Sequence, residues 1–191
     1  MAVVNVKSNT VINLDATPIV PIVEGEGAPG DAKVNDGVFS GANAPPAAAS
    51  IGSTFQFVRV PSNCKIKKMW FESAAQAAGT MNFGLYYATD GSINSQTPPL
   101  VVTSSPQATP PSTSQASLFA AAVALTAASG PADLALASAG GTYTADKRQM
   151  PLWKAAGLNS DPGGYFDIVG TFAAAITTGL GTMGLTVIYT D

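Results

Sequence analysis

The residues best equipped for chemistry sit in one stretch, QFVRVPSNCKIKKMWFES (56–73), where the single cysteine, Cys64, is followed by Lys65, Lys67 and Lys68. Cationic neighbours lower the pKa of a thiol and make it a nucleophile. Two features oppose that role here. The chain has no histidine, so no imidazole is available to take the proton, and Ser-His-Asp and Cys-His arrangements are excluded together. In an extended strand, moreover, Lys65 and Lys67 share one face while Cys64 points to the other with Ile66 and Lys68. Cys64 is therefore read as a small, semi-buried residue at the start of a strand.

Carboxylates are the other candidates, because some β-sandwiches hydrolyse glycosides with two carboxyl groups about 5–10 Å apart. Glu24 and Glu26 lie in a Gly-rich segment, and Asp161 and Asp167 flank the turn Asp161-Pro162-Gly163-Gly164. Nothing in their spacing sets a pair across a cleft, and aromatic residues for stacking sugars are sparse. Asp161 suits a plain turn better than a calcium site. One cysteine allows neither an intrachain disulfide nor a cysteine zinc cluster. No GxGxxG after a strand, P-loop or HExxH is present. No catalytic, cofactor-binding or metal-ligating residue is assigned, and no enzymatic activity or cofactor is expected.

Composition points the same way. Charged residues make up 11% of the 191, against roughly 25% in a typical soluble domain, while hydrophobic residues reach 46%. Depletion of charge marks interface cores, so such a surface suits a subunit of an assembly. The net charge of −3 argues against general nucleic-acid binding, which needs a basic excess. The most apolar later stretch, SLFAAAVALTAA (117–128), is too short to cross a bilayer, which takes about 20 residues. MAVVNVKSNTVINLD has neither a long apolar core nor a cleavage pattern, so no signal peptide is expected and the chain reads as soluble and made in the cytoplasm.

The elements that must position these residues are mostly strands. Residues 1–50 alternate short β-prone pieces (AVVNV, TVINL, PIVPIV, GVFS) with Gly, Pro and Asn. They are expected to form an extended arm with edge strands, the alternative being a loose terminus. Residues 51–191 are expected to form the body, with strands at Thr54–Val60, Lys65–Ser73, Met81–Ala88, Tyr165–Phe172 and Thr182–Thr190. Two of these alternate cleanly: Met81, Phe83, Leu85 and Tyr87 share one face, as do Met183, Leu185, Val187 and Tyr189. Between them, 92–145 reads as a long Ala/Pro-rich insertion, with helical propensity over SLFAAAVALTAAS ended by Gly130-Pro131. A short helix is predicted at PLWKAA, with Pro151 in its first turn, Gly157 at its stop and Trp153 packing at one end of the body. The fold class that fits is all-β, an antiparallel β-sandwich with one or two short helices.

Parity along 65–73 is informative. Ile66 lies on one face, whereas Met69 and Phe71 lie on the other. Either a lysine points inward, or a β-bulge at Lys67-Lys68 inserts one residue and flips the pattern. With the bulge, Trp70 faces outward as a contact residue; the alternative places it in the core. Trp70, Lys67 and Lys68 are candidate interface residues, together with Leu118 and Phe119 from the apolar stretch of the insertion, since a long loop commonly packs on a neighbour.

Several segments resemble a group of tailed-phage virion proteins: AVVNVKSNTVINLDATP, FVRVPSNCKIKKMWFES, FGLYYATDG, PLWKAAGLNSDPGGYFDI and GTMGLTVIYTD, in that order. The likeness covers most of the chain and is weak over 92–145. These motifs are strands and turns, specific for a fold lineage and carrying no catalytic residues. The resemblance implies a head-associated decoration or cement protein with a jelly-roll-like body, located on the capsid surface. Its partners would be the major capsid protein and its own copies, as a homo-oligomer expected to be a trimer, with neither nucleic acid nor membrane. A tail, neck or vertex-fibre component is the alternative within the virion, and a carbohydrate-binding β-sandwich the alternative outside it.

Overall fold

A computed structural model describes residues 5–8, 11, 32–40, 49–75, 79–88, 113–125, 129–136, 140–176 and 181–191. The expected pieces PIVPIV, Glu24 and Glu26, and the Pro-rich 92–112, lie outside these residues. Among the described residues nine strands build two sheets: β1 (Asn5–Lys7), β2 (Lys33–Phe39), β3 (Thr54–Pro61), β4 (Lys65–Ser73), β5 (Thr80–Tyr87), β6 (Ala120–Ala124), β7 (Ser129–Asp133), β8 (Tyr165–Ala174) and β9 (Met183–Thr190). One sheet has the order β1-β3-β8-β5-β6 and the other β2-β9-β4-β7. Every pairing is antiparallel except that of β1 with β3.

Strands β2 to β9 interleave between the layers in the order of a jelly roll, β2-β9-β4-β7 facing β3-β8-β5-β6, with β1 added at one edge. The layers are joined by phenylalanines from both. Phe39 of β2 meets Phe55 and Phe57 of β3 edge-on at 5.5 and 4.8 Å. Phe71 of β4 lies 4.7 Å from Phe83 of β5, and Phe57 links the two groups. All these rings are fully buried. Edge-to-face pairs of this kind stabilise by about 0.5–1.5 kcal/mol each beyond the area they bury. Phe39 belongs to this cluster, so β2, which falls within the expected arm, packs as an edge strand of the four-stranded sheet.

The bulge expected in β4 is present. Ile66 pairs with Tyr189 and Lys68 with Ile188, leaving Lys67 as the extra residue. Ile66 is buried before it, and Met69, Phe71 and Ser73 after it, so one inserted residue changes the parity of the whole strand.

The helix expected over 117–129 is replaced. Thr113–Ser117 forms a 3-10 turn, and the alanines that follow are edge strand β6, with Thr80 opposite Ala124 and Phe83 opposite Ala120. Helix propensity favours alanine by less than ~1 kcal/mol per residue, whereas burying Leu118, Phe119 and Leu125 contributes roughly 1.5–3 kcal/mol each. Burial wins. Likewise Gly130-Pro131, expected to stop a helix, lies inside β7, an edge strand, where proline's missing donor is tolerated. The segment 113–136 thus supplies one strand to each sheet. The short helix is found at Leu152–Ala155, with Pro151 as its N-cap and Gly157 after it at φ 82°.

Candidate functional site

The thiol reading of Cys64 ends at its surroundings. Cys64 is fully buried, beyond the semi-burial expected for it, and its carbonyl accepts the Leu152 N–H at 2.7 Å. Burial, and after it the Asp191 carboxylate, push its pKa up far above the ordinary thiol value, so at neutral pH it is a protonated packing residue. The lysines that follow it along the strand do not activate it.

The carboxylates are engaged in structure. Asp167 on β8 receives Arg59 of β3 in a two-point ion pair, Nε to Oδ1 at 2.7 Å and Nη2 to Oδ2 at 3.1 Å, with both side chains fully buried. Asp161 accepts the Ser62 hydroxyl at 2.6 Å and the Gly163 N–H at 2.8 Å, holding the turn shut. Among the described residues no group of three or more His, Cys, Asp or Glu is placed to hold a metal ion. Trp153 is half-buried against the core beside Leu158, and its backbone N–H donates to the Ser62 carbonyl.

The two outer faces of the sandwich differ. On the five-stranded sheet, outward residues Gln56, Arg59, Asp167 and Val169 are at most 2% exposed. Part of the cover is the 3-10 turn at Gln115-Ala116, which runs so close over Gly84 that a Cβ there would lie 2.3 Å from backbone atoms of both residues. The face of the four-stranded sheet is open. Of the five large hydrophobic residues exposed among the described ones, three lie on it: Val34 (61%), Val38 (46%) and Trp70 (38%). Exposed apolar side chains gathered on one face mark an interaction surface better than scattered ones do.

The five candidate interface residues separate. Trp70 and Lys68 project from β4 on this open face, with the Lys68 ammonium 5.1 Å from the centre of the Trp70 ring. That cation–π contact restrains the indole while leaving Trp70 38% exposed. Lys67 is half-buried in the bulge; its Nζ donates to the Arg148 carbonyl at 3.3 Å, and the Arg148 guanidinium donates to the Lys67 carbonyl. Lys67 is a clasp between β4 and the 147–149 turn. Leu118 and Phe119 have no exposure, and Phe119 stacks obliquely on Tyr143 at 5.0 Å. Their expected place at an interface gives way to one in the core, because the turn before β6 carries them inward. Val34 and Val38 are the residues that sequence reasoning missed. The signal was the alternation in KVNDGVF, where Val34, Asp36 and Val38 share one parity.

No family model matches the chain, and no curated protein matches it. Solved structures do. The chain is similar to one from the capsid of Ralstonia phage GP4, at 15% identity over 98% of this chain and 97% of that one, with a TM-score of 0.55. It also aligns with a chain of the Cyanophage Pam1 capsid asymmetric unit at 15% identity, over 92% and 95% of the two chains, with a TM-score of 0.36. The first likeness is one of fold, and it runs the whole length of both chains.

Proposed function

We propose that this chain is a structural component of a tailed-phage virion: a decoration or cement subunit that lies on the outer head surface and ties major capsid subunits together. The observation that carries the reading is the end-to-end likeness of its fold to a chain of the Ralstonia phage GP4 capsid, 98% and 97% of the two chains aligning. A likeness that spans 98% and 97% of the two chains is more specific than one confined to a sandwich core. The resemblance of its strand and turn segments to phage virion proteins supports the same reading.

The mechanism is passive. The sandwich is a rigid platform cross-linked by its phenylalanine cluster, and it presents an open sheet face bearing Trp70, Lys68, Val34 and Val38 to neighbouring subunits in the head. Low charge lowers the desolvation cost of such contacts, since few ions must lose water. The chain works without a cofactor or bound nucleic acid.

Quantification of the protein in purified virions, with imaging of the particle, tests this. Hundreds of copies arranged on the head with its icosahedral symmetry are expected, and particles lacking the protein should disrupt at lower temperature. A handful of copies at the tail or neck would overturn the decoration role, and absence from the particle would overturn the virion reading altogether.

A further inference from the structure

We infer that the open face of the four-stranded sheet is a self-association surface, on which a second copy of this chain packs face to face about a two-fold axis. The strand registers align its outward side chains in three rows: Val34–Ile188–Lys68, Asp36–Thr186–Trp70 and Val38–Gly184–Glu72. Along β4 the exposed Trp70 is therefore flanked two residues to one side by a cation and two residues to the other by an anion. Along β2, Asp36 is flanked in the same way by Val34 and Val38.

A face with this layout is complementary to itself. A two-fold axis lying in the face along the central row reverses the strand direction of the second copy and leaves the order of strands unchanged. Lys68 then meets Glu72 of the other copy, and does so twice, as an isologous contact requires. Val34 meets Val38 of the other copy, and Trp70 meets its own counterpart at the centre, where aromatic anchors contribute most. Ile188 comes to lie over Gly184 of the other copy. A shallow depression of about 230 Å³ bordered by Val38, Glu72, Ser73, Ala74, Thr182 and Gly184 lies beside it. The Glu72 carboxylate, which leans to 3.3 Å from where a Gly184 Cβ would stand, swings toward Lys68 of the other copy and makes room for Ile188. Charge, apolar surface and shape thus pair under one operation. The arrangement brings one pair of like charges together, Asp36 with its counterpart, at the rim on edge strand β2.

The contact is weak by size. Strands ~4.8 Å apart and residues ~3.3 Å apart give a face on the order of 400 Å² per copy. That falls in the class of transient interfaces. Such a contact forms where local concentration is high, as it is between subunits held side by side on a surface. It closes after two copies, so a trimer would need a different surface. It does not depend on the virion reading, because the isolated chain carries both halves.

Sedimentation velocity on the full chain, over concentrations up to about 100 µM and at low and high salt, tests the inference. The chain should dimerise, more weakly as salt rises. Lys68→Glu and Glu72→Lys should each raise the dissociation constant by about tenfold, because each reversal turns two attractive contacts repulsive. The doubly reversed chain should return to within about threefold of the original, and an equimolar mixture of the two single variants should associate better than either alone. Asp36→Asn should tighten the dimer. All are exposed positions, and unchanged thermal melting confirms that each variant is folded. A chain that stays monomeric at the highest concentration, or whose association ignores both reversals, overturns the proposal.

Discussion

Replacing Asp167 by Asn gives a measurable account of what holds the five-stranded sheet together. The substitution keeps the shape of the side chain and removes its charge, so the Arg59 guanidinium stays buried without its carboxylate. Both groups are fully enclosed and joined by two hydrogen bonds of 2.7 and 3.1 Å, a geometry in which removing one partner costs about 3–5 kcal/mol. Against a total stability of about 5–15 kcal/mol this is a large fraction. For a chain of this size 1 kcal/mol corresponds to roughly 2–4 °C, so the melting temperature should fall by about 10 °C. Calorimetry or chemical denaturation at neutral pH reads it directly. A second variant separates loss of the pair from loss of packing: Arg59→Met with Asp167→Leu removes both charges and should recover most of the stability, since an apolar replacement of a whole buried pair is often neutral. A shift of under about 2 °C for the single variant would show that the pair is solvated in solution and that the outer face of this sheet is not closed.

Three further outcomes are expected. Gly84→Ala should cost more than ~3 kcal/mol and deplete soluble protein, because its Cβ would meet the Gln115 and Ala116 backbone at 2.3 Å and backbone cannot step aside; normal melting would mean that the 3-10 turn does not cover β5. Stability should fall as pH rises past the ordinary thiol value of 9.0, because burial keeps the Cys64 proton on in the folded chain while the unfolded chain releases it; the loss approaches ~1.4 kcal/mol per pH unit, and Tyr143, pushed up by its own burial, adds to it above pH 10.0. Cys64→Ala should flatten the first part of that decline in denaturation curves taken across the range, and an unchanged slope would place the thiol in water. Trp70→Ala should leave the melting temperature within about 2 °C, consistent with an exposed side chain, while weakening attachment to particles at least tenfold in a co-sedimentation assay; a large loss of stability instead would make Trp70 a core residue.

Much of the fold was legible because its signals are local. The strands at 54–61, 65–73, 80–87, 165–174 and 183–190 show in the run of residues itself, with boundaries within two residues of those expected from alternation. The bulge was one of the two readings that the parity of 65–73 allowed, and the burial of both Ile66 and Met69 selects it. Strands β6 and β7 were not legible. AAAVA and SGPAD carry no β pattern of their own, and they are strands because β5 and β4 present open edges to them. The candidate surface was half visible. Trp70 and Lys68 followed from the parity of β4, whereas Leu118 and Phe119 looked like contact residues only while their segment was taken for a loop.

The sequence by itself determined that this is a chain of short antiparallel strands, that it has no histidine to serve as a base for its thiol, and that it carries far less charge than a typical soluble domain. Each of these rests on residue type or on a spacing of a few residues. The tertiary structure alone decided that Arg59 finds Asp167 across 108 positions of chain, that the strands interleave as a jelly roll, and that one outer face is covered while the other is open. Those outcomes depend on which strand edges meet. The choice of edge is made by the burial of both layers at once, and no window along the chain contains it.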